Sequence, residues 1–387
     1  MSWEVRTMRS GTSYFNKTLF AKHFARFWPI WGLYGLIWTV CLPLGILAGS
    51  RSGWMAADAR VLPLNYLDTT GWFSAATLLA AVFGLLAAMA VFSYLYSARS
   101  VSLFHALPLR REGLFLTSYL AGLGFLILPN LAVFLLALAA EAACGAVVFS
   151  SLFTWLVVSS LLNLFFYSFA VFCAMFTGHI LALPAFYVVL NGLAAGLAVL
   201  FGQMAHEFLF GFDGASWLTG LASWLSPVLQ LSACRVVFPA VTDAAGYSVA
   251  DEASAYFTGL GYVALYALVG VALAAVALAV YRRRQLETAG DVVSVSWVRP
   301  VFKYGVAFCA AVALGETLYS LFSALLPRGA WGLLLMLLLW GRGGLLRGGD
   351  AAAQEVLGVP GQLEGLRGAA VLPHRRHVPD GVRRDGL

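Results

Sequence analysis

Long apolar runs, each bounded by polar or basic turns, dominate the chain. The first, FWPIWGLYGLIWTVCLPLGILAG at 27–49, contains no charged residue. At about 23 residues it is long enough, as a helix, to cross a hydrocarbon core of roughly 30 Å. Similar runs at 72–96, 114–140, 151–177, 180–203, 257–281 and 302–326 follow, and another begins at Trp331. Backbone amides in lipid have no water to bond, so spanning segments must be helices or closed barrels. Barrel strands alternate apolar and polar residues, and these runs do not. The pattern predicts an all-α, polytopic transmembrane bundle of about seven to eight spans.

The basic residues orient it. Arg6, Arg9, Lys17, Lys22 and Arg26 precede the first run. Arg99, Arg110 and Arg111 follow the second, and Arg282, Arg283, Arg284, Arg299 and Lys303 follow the sixth. The alternate turns hold Arg51, Arg60, Arg235 and Arg328. Positive residues accumulate on the cytoplasmic side, so the N-terminus is expected there. Residues 12–28 read as an amphipathic interfacial helix: Phe15, Leu19, Phe20 and Phe24 share a face, while Lys17, Lys22 and Arg26 reach towards lipid phosphates. The expected organisation is a cytoplasmic segment at 1–26, a transmembrane domain at 27–340 and a distinct tail at 341–387. Because 1–26 is polar and basic, no cleavable signal peptide is expected.

Composition agrees. Only 11% of residues are charged, against about 25% in soluble domains. The bilayer is the expected partner and nucleic acid is not. Cys41, Cys144, Cys173, Cys234 and Cys309 form no C-x-x-C pair. They read as small hydrophobes, with a Cys144–Cys234 bridge allowed but required by nothing. Catalytic motifs fail one by one. The string GTSYFNKT at 11–18 imitates a P-loop but carries Asn16 where the second glycine must stand. His206-Glu207 has Phe210 where a zinc site needs its second histidine. The Gly214-Ala-Ser216-Trp217 string lacks the second glycine of a nucleophile elbow. No enzyme is expected, and no cofactor or metal of the chain's own. The segment WLTGLASWLSPVLQL at 217–231 is too short and broken to span, so it is interfacial or re-entrant.

Two basic turns carry more. In SARSVSLFHALPLRREGLFLTSYLAGL at 97–123, Pro108 breaks the helix and Arg110-Arg111-Glu112 restarts it with an acid near its N-terminus. In YRRRQLETAGDVVSVSWVRPVFKYGVAF at 281–308, three arginines meet the negative end of a helix dipole, then Glu287 and Asp291 precede an extended stretch. Interfacial anchoring alone accounts for the arginines, but not for the acid pair. Together HALPLRREGLFLTSYLAGL and RRRQLETAGDVVSVSWVRPVFKYG resemble the cytoplasmic turns of bacterial ABC-2 type transporter permeases, the membrane subunits of multidrug and peptide exporters. The resemblance extends over about 12–326. It implies a transport subunit that pairs with a second copy or a paralogue and docks a separate ABC ATPase, which binds the ATP. On the resemblance, Arg99, His105, Arg110, Arg111 and Glu112 in one turn, and Arg283, Glu287 and Asp291 in the other, are the candidate ATPase-coupling residues. A compact core of that family has six spans, and this chain has more.

One acid lies deep in a span. Glu316, about midway along 302–326, is a candidate intramembrane site. It reads as a substrate-cation contact, a proton-coupling group, or a protonated carboxyl bonded to a neighbouring helix. The proton-coupling reading belongs to an alternative function, an ion-driven secondary transporter. Glu141 and His179, at span ends, call for nothing beyond interfacial solvation.

The tail at 341–387 uses only Gly, Arg, Leu, Asp, Ala, Gln, Glu, Val, Pro and His. These are the residues encoded by codons that begin with G or C. In a GC-rich gene, a slip that reads third bases as first bases yields this alphabet. The tail is therefore expected to be a frameshifted, disordered product, with the frame lost between Leu334 and Trp340. Sequencing the native locus checks this: an added or missing base in that window is expected, and an intact frame there rejects it.

Overall fold

The computed structural model describes residues 15–50, 56–68, 74–96, 110–208, 216–231, 234–242 and 248–283, scattered positions within 304–321, and residues 331, 332 and 334–340. The chain is a multi-pass helical membrane protein: five helices among the described residues are long and apolar enough to cross a bilayer. The chain enters through α1 (Lys17–Arg26), a short amphipathic helix capped by the Asn16 side chain, which accepts from the Leu19 amide at 3.0 Å. The first crossing, Trp28–Ser50, is built from α2 (Trp28–Thr39), a π-helical turn (Val40–Leu44) and α3 (Gly45–Ser50). Pro43 accounts for the widened turn, because its ring has no N–H and displaces the carbonyl one turn back.

A helix absent from the hydropathy pattern follows, α4 (Ala56–Asn65). Then come α5 (Ala75–Val91), extended by a 3₁₀ turn at Ser93–Tyr96, and the crossings α6 (Arg111–Cys144), α7 (Phe149–Phe176) and α8 (Ala182–Phe208). Gly145, at φ +74°, terminates α6 in the left-handed conformation that only glycine adopts without strain. The segment at 217–231 folds into α9 (Ser216–Leu225) and α10 (Pro227–Leu231), broken at Ser226-Pro227 and packed against α8. Four three-residue strands then depart from the all-α expectation. They are β1 (Arg235–Val237), β2 (Ala240–Thr242), β3 (Ser248–Ala250) and β4 (Tyr256–Thr258), paired antiparallel as β1–β4 and β2–β3. The last crossing among the described residues is α11 (Leu260–Arg283). The run expected at 302–326 is described only in part, and the tail at 341–387 lies outside the described residues.

Helix α7 is the hub. It packs against α4, α5, α6, α8 and α11, and most of its apolar residues are buried. Lipid tails are as apolar as leucine, so helices associate in a bilayer by close packing and interhelical hydrogen bonds. Both devices are present. At Gly84 on α5, an added Cβ would lie 2.9 Å from the Tyr167 amide nitrogen; at Gly270 on α11 it would lie 2.9 Å from Phe165 Cα. Gly122 on α6 leaves room for the Tyr167 ring, whose hydroxyl donates to the Tyr119 carbonyl at 3.0 Å. The α7 backbone is thus approached by two different neighbours at residues two apart. On the opposite end of the bundle from Arg110, Arg60 of α4 donates to the Ala253 and Ala255 carbonyls, tying that helix to the strand region.

The close approach at Gly270 makes a sharp expectation. Gly270→Ala forces the backbones of α7 and α11 apart, and overpacking of this kind costs about 1–3 kcal/mol. Gly261→Ala, one helix face away from any neighbour within 4 Å, should be neutral or slightly stabilising. Thermal unfolding of both variants in the same detergent checks this: only Gly270→Ala should lower Tm.

Candidate functional site

The two turns singled out by sequence meet at one end of the bundle. Glu112 lies in the first turn of α6 and Arg282 in the last turn of α11, each on the side that its helix dipole favours. Their side chains form an ion pair, Arg282 Nη2 to Glu112 Oε1, at 3.0 Å. Both are substantially exposed, so the pair contributes at most about 1 kcal/mol. What it records is that the two helix ends lie side by side.

A layer of rings beneath the ion pair makes that placement rigid. Phe115 of α6 lies 5.5 Å from Phe92 and 5.4 Å from Tyr281, centroid to centroid. The Tyr94 hydroxyl donates to that of Tyr281 at 3.2 Å. Phe92 and Tyr94 come from the end of α5, so three helices share one aromatic floor. Arg110 immediately precedes α6, and the exposed side chains of Arg110, Arg111 and Arg283 surround the ion pair. Among the described residues, the face is a group of cations with the Glu112 carboxylate. Arg99, His105, Glu287 and Asp291, the other coupling candidates, lie outside the described residues, as does Glu316.

Helix α1 extends this face. Its apolar side lies along the first turns of α6, with Phe24 edge-on to Phe125 at 5.0 Å and the Asn16 amide donating to Thr117 Oγ1 at 3.1 Å. Lys17, Lys22 and Arg26 remain exposed, as expected of an interfacial helix. The sequence reading overlooked His23, although its spacing from Leu19 and Phe20 places it on the apolar side. It is 7% exposed, with Nε2 at 3.5 Å from Ser118 Oγ. Burial, and secondarily the Arg26 charge, push its pKa down from 6.5 to about 4.

A polar cluster in the interior of the bundle was also unanticipated. The Tyr34 hydroxyl donates to Asn130 Oδ1 at 2.9 Å and accepts from Asn163 Nδ2 at 2.8 Å. Asn130 Nδ2 faces Ser159 and Ser160 Oγ, both at 3.4 Å. The cluster bonds α2, α6 and α7 together where no water competes. The available sequence signal was one asparagine in each of two apolar runs. Glu141 corrects the interfacial-solvation reading. It is fully buried, and its Oε2 accepts from the Val148 amide at 2.8 Å, closing the α6–α7 turn. His179 is exposed, as expected, with Nδ1 accepting from the Leu181 amide. None of the four described cysteines forms a disulfide, so the allowed Cys144–Cys234 bridge is absent. Among the described residues no group of acids, histidines and cysteines is arranged to hold a metal.

His23 gives the α1–α6 contact a pH dependence. Its folded pKa is depressed, so its stabilisation is complete above about 6.5 and is lost as pH falls through that value towards 4. Hydrogen exchange of the amides of Lys17–Arg26 should therefore show protection that declines over this window. In His23→Phe the decline should vanish; an identical decline in that variant excludes His23 as its origin.

Compared with protein-family models, with curated proteins and with solved structures, the chain matches none of them.

Proposed function

We propose that this chain is the membrane-spanning permease subunit of an ABC exporter of the ABC-2 type, set in a bacterial cytoplasmic membrane with its N-terminus in the cytoplasm. A separate ABC ATPase binds and hydrolyses the ATP, and a second permease copy or paralogue completes the transporter. One observation carries the reading beyond the resemblance of the two strings: Arg110-Arg111-Glu112 and Arg282-Arg283, far apart in sequence, converge on one end of the bundle through the 3.0 Å ion pair. Such a face, basic with a fixed acid at its centre, is complementary to a soluble partner that carries acidic groups around a basic one. Because α5, α6 and α11 share its aromatic floor, a force applied there moves all three helices as a body.

Charge reversal at Arg110→Glu and Arg111→Glu tests the docking role. With a candidate ABC ATPase co-expressed, the double variant should co-purify with it about tenfold less well than the unmodified chain at moderate salt. Membrane insertion should be unchanged. Undiminished co-purification counts against a coupling role for these arginines. Export that survives ATP depletion but stops with a proton uncoupler transfers the reading to an ion-driven transporter.

A further inference from the structure

Away from the basic end, α5, α7, α8 and the α9–α10 break enclose a cavity of about 300 Å³. That lies at the lower end of the range for small-molecule sites, about 300–1,000 Å³. Its walls are almost entirely carbon, with Phe166 of α7 among them, and Leu78 and Val188 lie at its margin. These two side chains are 54% and 66% exposed on apolar helices, so the opening lies on a carbon-rich outer surface of the kind that a bilayer covers.

Thr77, Tyr187, Asn191 and Ser226 carry the polar side-chain atoms of the wall, and the Tyr187 hydroxyl donates to the Ala81 carbonyl at 3.3 Å. Ser226 Oγ accepts from the Ala195 amide at 2.9 Å, and Thr77 Oγ1 accepts from Ser74 Oγ at 2.8 Å. Asn191, 6% exposed and halfway along the apolar window of α8, differs. Its Nδ2 donates to the Tyr187 carbonyl at 3.1 Å. A carbonyl only accepts, so the amide orientation is fixed by chemistry and Oδ1 must point away from Tyr187. That oxygen is buried and has no hydrogen-bond partner among the described residues. An acceptor left unsatisfied in an apolar medium costs about 1–3 kcal/mol.

We propose that this cavity is a binding site for an uncharged, lipid-like alcohol, entering sideways from the bilayer and donating its hydroxyl to Asn191 Oδ1. The apolar chain fills the carbon-lined space between Phe166 and Val188. The ligand is uncharged because no carboxylate, amine, guanidinium or imidazole is among the lining residues to offset the desolvation of a charge. It is a donor because Asn191 Oδ1, which lacks any partner among the described residues, can only accept. The site stands apart from the export reading, as its evidence and its test involve neither the basic face nor an ATPase.

The test uses the full chain in phosphatidylcholine nanodiscs, a diazirine-bearing dodecanol as photoprobe, and peptide mapping of the label. Dodecanol and dodecyl methyl ether, which lacks the O–H donor, serve as competitors. Label should fall on the α5 and α8 walls, saturate, and be displaced about threefold to tenfold better by the alcohol than by the ether. Asn191→Leu should make the two competitors equal. At Gly192, which also lines the cavity, an added Cβ meets nothing within 4 Å, so Gly192→Leu can fill the space without a clash and should abolish saturable labelling. Equal competition by alcohol and ether on the unmodified chain overturns the proposal, and so does label that never saturates or that maps elsewhere. Those readouts need no variant to fold.

Discussion

Everything in this bundle depends on how closely other helices approach α7. In a bilayer the hydrophobic effect holds helices in the membrane but does not hold them to one another. Association must come from dispersion at short range and from hydrogen bonds, and both fade quickly with distance. Gly84 and Gly270 bring the backbones of α5 and α11 to within van der Waals contact of α7, at Tyr167 and Phe165. Two residues apart on one helix, these positions face different neighbours. The α7 register is therefore set from both sides at a single level, and the Tyr167 ring, seated over Gly122, sets it on a third.

The polar cluster at Tyr34, Asn130 and Asn163 continues this logic elsewhere on α7. Its α7 members Ser159 and Asn163 lie four residues apart, with Trp155 one turn earlier, so one stripe of the helix faces α2 and α6. Trp38 and Trp155 meet edge to face at 4.9 Å at the end of that stripe. Small residues grip one part of the hub and hydrogen bonds grip another. The remaining helical surface is free to face lipid, as the exposed leucines of α6 at 128, 131 and 135 do.

The crossings were legible because hydropathy is local: each run carries its own evidence, whatever packs on it. Helix α4 was not. With Asp58, Arg60 and Pro63 within ten residues it reads as a polar turn, and it is held by bonds from Arg60 to carbonyls nearly two hundred positions away. The three-residue strands are too short for any alternation to register. For the same reason the glycines at 84 and 270 look like any of the chain's 39 glycines until the neighbouring backbone is placed. At the basic end, the charges themselves were visible, and so was the likeness of the two turns to a known permease type. What no string contains is that Glu112 and Arg282 touch, since that contact requires the α6–α7–α11 packing to exist first.

The order of dependence bears on how a partner would act. The Glu112–Arg282 pair is too exposed to hold helices together, so the geometry of the basic face is inherited from the floor of Phe92, Phe115 and Tyr281. That floor is in turn fixed by helices whose backbones touch α7. On the export reading, motion imposed on the face cannot be absorbed by side-chain rearrangement near it. It must pass into α5, α6 and α11, and the glycine contacts make those helices move against α7 as rigid bodies. Helix α1, joined to α6 through Asn16, Phe24 and a buried neutral His23, is carried with them. The cavity between α5 and α8 lies along the same α5 surface, so a tilt of α5 changes its width and the environment of Asn191 together.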